Sequence, residues 1–139
     1  MRLGTALEPV ARALYENATG KLVRSAGLHP HPKHPKALAA SPDGVVLDSR
    51  GRDTKTLLEI KVGQERTPYL SNAYLVQLAV QMACCGAQKV DFVAMHAGTH
   101  EFTVTTVERN RSLEDVLIKQ LLAAHQEATE DDEVAEYDT

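Results

Sequence analysis

Tryptophan is absent from this 139-residue chain, and only four tyrosines and two phenylalanines stand in for it. That scarcity argues against a single-strand binder built on a platform of stacked aromatics. The two cysteines, Cys84 and Cys85, are adjacent, which excludes both a disulfide framework and a CxxC metal pair. A reducing, intracellular setting is expected on that ground. No apolar run approaches the roughly 18–20 residues needed to span a bilayer, and the N-terminus lacks the basic-then-apolar layout of a signal peptide. What is present is 43% hydrophobic and 24% charged. A chain of this size buries roughly two-thirds of its unfolded surface, and one domain over residues 1–126 is the expected organisation.

The formal net charge of −4 hides an asymmetry. Seven acidic residues and no lysine or arginine fall in residues 127–138, so the first 126 residues hold all 15 basic side chains against 12 acidic ones. Such an acidic segment reads as a solvated, disordered tail over 127–139. The mildly basic body permits a polyanionic partner without requiring one.

Periodicity predicts a helix over Thr5 to Asn17, with Ala6, Leu7, Val10, Ala13 and Leu14 on one stripe and Gly20 after it. Leu22 to Leu28 reads as a strand. His29-Pro30-His31-Pro32-Lys33-His34-Pro35 reads as an extended loop, because its three prolines remove three backbone donors. Strand pieces follow at Ala37–Ala40 and Gly44–Asp48, split by the turn Ser41-Pro42-Asp43-Gly44. A polar loop spans Ser49 to Lys55, and a short apolar strand covers Thr56 to Val62. A helix is predicted over Tyr69 to Cys85, with Ala73, Val76, Val80 and Ala83 as its buried stripe and Gly86 as its stop. Val90–Ala97 and Glu101–Glu108 read as a hairpin. A last helix starts at Ser112, where Ser112 and Asp115 fit a capping box and Leu113, Val116, Leu117, Leu121 and Leu122 form the apolar face. The order is α-β-β-β-α-β-β-α, an α/β (α+β) chain with one mixed central sheet flanked by helices.

The chemistry concentrates between Ala40 and Val62. Alternation along a strand puts Glu59 and Lys61 on one face and Ile60 on the other. A carboxylate and an ammonium two positions apart on an apolar strand are costly to bury. If Asp43 pairs beside them, two carboxylates converge on one lysine, a hard-oxygen set that suits Mg²⁺ completed by water and phosphate oxygens.

Asp43…Glu59-x-Lys61 resembles the PD-(D/E)xK nuclease signature. Glu8-Pro9-x-Ala11-Arg12, Tyr15, Ser41-Pro42-Asp43-Gly44, Leu58-Glu59-Ile60-Lys61, Tyr74-x-x-Gln77, Asp91-Phe92-Val93 and Val107-Glu108-Arg109 together resemble the YqaJ and lambda-exonuclease-like family of phage-type recombination nucleases. The resemblance covers most of residues 4–111. It implies a restriction-endonuclease-like fold and a Mg²⁺-dependent deoxyribonuclease, with Mn²⁺ able to substitute, acting as an exonuclease on duplex DNA ends in recombination or repair. By that resemblance Asp43, Glu59 and the Ile60 backbone carbonyl hold the metal, with Glu8 as a further acidic group, and Lys61 serves the attacking water. Gln77 and Ser41 match residues that hold substrate phosphate, and Tyr74, Arg12 and Arg109 are further candidates for DNA contact. The resemblance also implies a homo-oligomer and a single-strand annealing partner protein.

The chain departs from that pattern in three places. Val62-Gly63 follows the lysine where relatives have Cys-Pro, and Ala79 stands at the second glutamine of a Q-x-Q helix pattern, with Gln81 nearby. Only Met1 to Leu7 precede Glu8, so weak discrimination of 5′-phosphate ends is expected. Two other readings stay open: a structure-specific or nicking endonuclease, and a DNA-binding module with a vestigial site. His29, His31 and His34 have a metal-like spacing, but the intervening prolines favour a stiff extended connector; a zinc site and contact with phosphate or a DNA groove are the alternatives.

Overall fold

A computed structural model of the chain describes residues 3–128 and 135–136. Helix α1 (Leu3–Thr19) is followed by β1 (Leu22–Arg24), β2 (His29–Pro30), β3 (Leu38–Ala40), β4 (Gly44–Leu47) and β5 (Asp53–Gly63). Helix α2 (Asn72–Cys85), the hairpin β6 (Lys89–His96) and β7 (Phe102–Glu108), α3 (Arg111–Ala128) and β8 (Ala135–Glu136) complete it. No helix among the described residues is long and apolar enough to cross a membrane.

The chain is mixed α/β, as expected, but it builds two sheets where one is predicted. A five-stranded sheet has the order β1-β4-β5-β6-β7, and a small one has the order β2-β3-β8. The long strand β5 is central, antiparallel to β4 and parallel to β6. A parallel pair needs a crossover, and α2 supplies it. The two faces of β5 divide the core. Leu58 and Ile60 pack with Ala11 and Tyr15 of α1, while Leu57 packs with Leu78 and Met82 of α2. Glu59, two residues on from Leu57, therefore points to the α2 face.

Several boundaries move. β5 begins at Asp53, inside the predicted polar loop, because Asp53 and Thr56 pair with β4 across a bulge. β1 stops at Arg24, short of the predicted Leu28. His29–Pro30 forms a short strand despite its proline, which is tolerated because β2 lies at the edge of its sheet. α2 starts at Asn72, where the Ser71 side chain caps the Tyr74 N–H, and it ends as predicted at Gly86 in the left-handed region (φ 66°).

The predicted helix faces also change. α2 buries Leu78, Val80, Gln81, Met82, Ala83 and Cys84, whereas Ala73 is exposed. It is covered on one side by the large sheet and on another by β3 and α3, so no single stripe describes it. In α3 the cap is Asn110, whose Oδ1 accepts the Leu113 N–H at 3.0 Å, not Ser112. Leu113 and Val116 are exposed, and Ile118 is the buried anchor. Most of the acidic stretch 127–139 lies outside the described residues; Glu127 and Ala128 end α3, and Ala135–Glu136 pair in parallel with Leu38–Ala39.

Candidate active site

The site grows from the end of the β4–β5 ladder. Gly44 pairs with Leu58, so Asp43, one residue before β4, comes level with Glu59. Asp43 Oδ2 accepts the Ile60 N–H at 2.6 Å and continues the ladder with a side chain. Gly44 lets β1 pack closely against this turn, since a Cβ there would lie 2.5 Å from the Val23 side chain. The turn Ser41-Pro42-Asp43-Gly44 thus fixes one carboxylate against the strand that carries the other.

Glu59 is fully buried. Its Oε2 accepts from Gln77 Nε2 and from Gln81 Nε2, both at 2.8 Å, while Oε1 has no hydrogen-bond partner. Burial first, then the neighbouring Asp43 carboxylate, push the Glu59 carboxyl up to about 10. A carboxylate in that position lacks counter-charge, because a desolvated acid beside a second acid cannot ionise cheaply. Lys61, on the same face two residues on, is half-buried and only partly offsets this. Its Nζ lies over the Tyr74 ring, 4.6 Å from the centroid, which gives the ammonium a fixed cation–π seat.

Glu8 on α1 senses the same centre. Its carboxyl is raised by burial and by the Asp43 charge, and lowered by Lys61 and Arg12. Gln77 and Glu59 are joined directly and Asp43 neighbours Glu59; Lys61 and Tyr74 contact each other; and Lys61 and Glu8 lie within electrostatic reach of the carboxylates, with Arg12 acting on Glu8. Ser41 sits half-buried at the start of the Asp43 turn. Arg109 is elsewhere: its guanidinium forms a two-bond pair with Glu114 at 2.7 and 3.0 Å, and both side chains are buried. Tyr15 and Asp91, two further residues of the sequence pattern, hydrogen-bond to each other in the core, where Asp91 also accepts from Thr106.

Gln81 is the residue whose role the sequence left undefined. It is fully buried and grips Glu59 as closely as Gln77 does. Its signal was the i, i+4 spacing from Gln77, which places both amides on one helix face.

The donor set favours a hard divalent cation. Among the described residues no group of three or more His, Cys, Asp and Glu is spaced to hold a metal. Two carboxylates are enough for Mg²⁺, which takes its remaining ligands from water, carbonyl and phosphate oxygens. The buried, unpartnered Glu59 Oε1 beside Asp43 is the observation that fits such an ion.

A family model for the YqaJ-like viral recombinase domain matches residues 1–88. Among solved structures, the chain is similar to an alkaline exonuclease from Laribacter hongkongensis, with a TM-score of 0.68 and 30% identity over 90% of this chain and 68% of that one. The same enzyme in complex with dAMP matches with a TM-score of 0.65, at 30% identity over 90% of this chain and 67% of that one. No curated protein sequence matches significantly.

Proposed function

Because the chain belongs to the YqaJ-like viral recombinase domain family, we propose that it is a metal-dependent deoxyribonuclease, an exonuclease that hydrolyses phosphodiester bonds at duplex DNA ends. Residues 1–126 form the nuclease domain in this reading. The observation that carries it is Glu59: a fully buried carboxylate with one oxygen gripped by two amides and the other unpartnered beside Asp43. A buried carboxylate oxygen left unsatisfied calls for a partner, and a bound cation is one that fits.

Asp43, Glu59 and the Ile60 carbonyl would hold Mg²⁺, which when bound offsets both carboxylates and draws charge from the scissile phosphate. The chain's own residues supply the rest. Gln77 and Gln81 fix the Glu59 rotamer, so the carboxylate needs no reorganisation when charge develops. Lys61 Nζ, seated on Tyr74, orients the attacking water and balances the negative charge that grows on the phosphate oxygens. Glu8, its carboxyl raised by burial and by Asp43, stands where it can accept a proton from that water. Ser41, at the start of the turn, and Arg12, near Glu8, would contact the DNA backbone.

The test is incubation of the chain with linear duplex, closed circular and single-stranded DNA, in Mg²⁺ and in EDTA. Mononucleotides should appear from linear duplex in Mg²⁺ alone. Cleavage of closed circles would replace the exonuclease with an endonuclease, and binding without cleavage would leave a DNA-binding module.

A further inference from the structure

Helix α2 faces two ways. Gln77 and Gln81 turn toward Glu59, whereas Ala83 packs with Leu38 and Ile118. On that second side, residues His31 to His34, Ala83 and α3 line a pocket of about 450 Å³ that shares no lining residue with the carboxylate site.

Its wall contains a fixed donor. His31 is 9% exposed, and its Nδ1 accepts the N–H groups of Lys33 and His34 at 3.0 and 3.2 Å. Burial first, then the neighbouring His34, holds its pKa down, so the ring is neutral at neutral pH and carries its proton on Nε2. His31 Nδ1 is thereby occupied and is not available as a metal ligand. Around this donor the charge is lopsided. Glu114 is engaged by Arg109 in a buried two-bond pair, which leaves Asp115 as the remaining carboxylate against Lys33, Arg111 and Lys119. All three cations are exposed and adjustable.

We propose that this pocket is a second phosphate site, which takes a phosphodiester of the DNA backbone away from the scissile bond. A rigid neutral N–H donor at the wall and three mobile cations at the rim match a phosphate, whose oxygens accept from several directions. Contacts of this kind set position and grip without reading sequence. The inference rests on DNA being the substrate, and a substrate strand held there would stay attached while the terminal nucleotide leaves.

The test separates this site from catalysis by working in EDTA. Affinity for a short duplex with 5′-hydroxyl ends is measured by fluorescence anisotropy across a salt series, for the wild type and for the double variant Lys33→Ala, Lys119→Ala. Both lysines are exposed, so the fold should survive. The double variant should bind roughly tenfold more weakly at low salt, with a log–log salt slope shallower by about 2. In parallel, the His31 ring resonances should move when that duplex is added to the wild type. That pattern in a chain that cleaves no DNA in Mg²⁺ would keep the site and remove the nuclease. An unchanged slope would overturn the proposal. So would a His31 response to inorganic phosphate or dAMP with no change in duplex affinity, because the pocket would then take a free phosphate instead of the DNA backbone.

Discussion

Lys61 and Glu59 sit two residues apart on one strand face and should fail differently when changed. Lys61→Ala removes a positioned cation and leaves the carboxylates in place. Turnover should fall by about 100-fold or more, while duplex affinity in EDTA stays within a few-fold; single-turnover cleavage and anisotropy separate the two. Wild-type turnover in this variant would remove Lys61 from the reaction. Glu59→Gln addresses the acid pair. The folded chain holds the Glu59 proton up to about 10, against an ordinary value of 4.5. Its contribution to stability is thus full below pH 4.5 and is lost as pH rises toward 10. Glutamine keeps the shape and cannot ionise, so in EDTA the variant should melt higher than the wild type, by a gap that widens with pH inside that window. Thermal melts at several pH values check this, and Mg²⁺ should raise the wild-type Tm and not the variant's. A variant less stable than the wild type throughout would mark the carboxylate as structural.

Among the elements, α1 meets the sheet through a polar contact in an apolar core. Tyr15 is fully buried, and its hydroxyl donates to Asp91 of β6, which also accepts from Thr106 of β7 at 2.7 Å. Burial and the Asp91 contact hold the Tyr15 hydroxyl far above its ordinary pKa, so it remains a donor. Tyr15→Phe keeps the ring and removes the donor, leaving Asp91 with one partner fewer. The expected cost is about 1–3 kcal/mol, read from the urea midpoint with an unchanged m value. Because α1 also carries Glu8, kcat should fall with this loosening even though Tyr15 packs with Leu58 and Ile60, on the face of β5 opposite Glu59. α2 has a comparable double duty: Gln77 and Gln81 serve Glu59, while Leu78 and Met82 pack under the same sheet. Helix and site cannot be altered independently there.

Across the whole molecule, charge is partitioned between a basic body and an acidic C-terminal stretch. Removal of residues 129–139 takes away six acidic side chains and turns the formal charge from −4 to +2. It also removes Ala135–Glu136 from the open edge of β3. Duplex affinity in EDTA should rise at low salt, and the gain should vanish at high salt, where screening shortens electrostatic reach to a few ångströms. Equal affinity at low salt would show that the acidic stretch does not compete with DNA. The melting temperature should change little, since a two-residue strand contributes few contacts to the core.

The amino-acid sequence determined which residues make up the candidate site and their register. Asp43 in a tight turn, Glu59 and Lys61 alternating with apolar neighbours, and Gln77 on a helix are all local patterns, and strand alternation alone puts the acid and the lysine on one face. The order of the main elements and the α2 stop at Gly86 were legible for the same reason: they depend on residues close together in the chain. Tertiary structure decided what depends on distant partners. It turned one expected sheet into two, because β3 leaves β4 at the Pro42 turn and pairs with β2 instead. It exposed Leu113 and Val116 and buried Glu114, because Arg109 offers that glutamate a partner that periodicity cannot see. It gave Gln81 to Glu59, and with that contact it fixed how deeply the central carboxylate is buried. Burial sets the energy of a charge, and burial is a property of the packed molecule, not of any segment of its sequence.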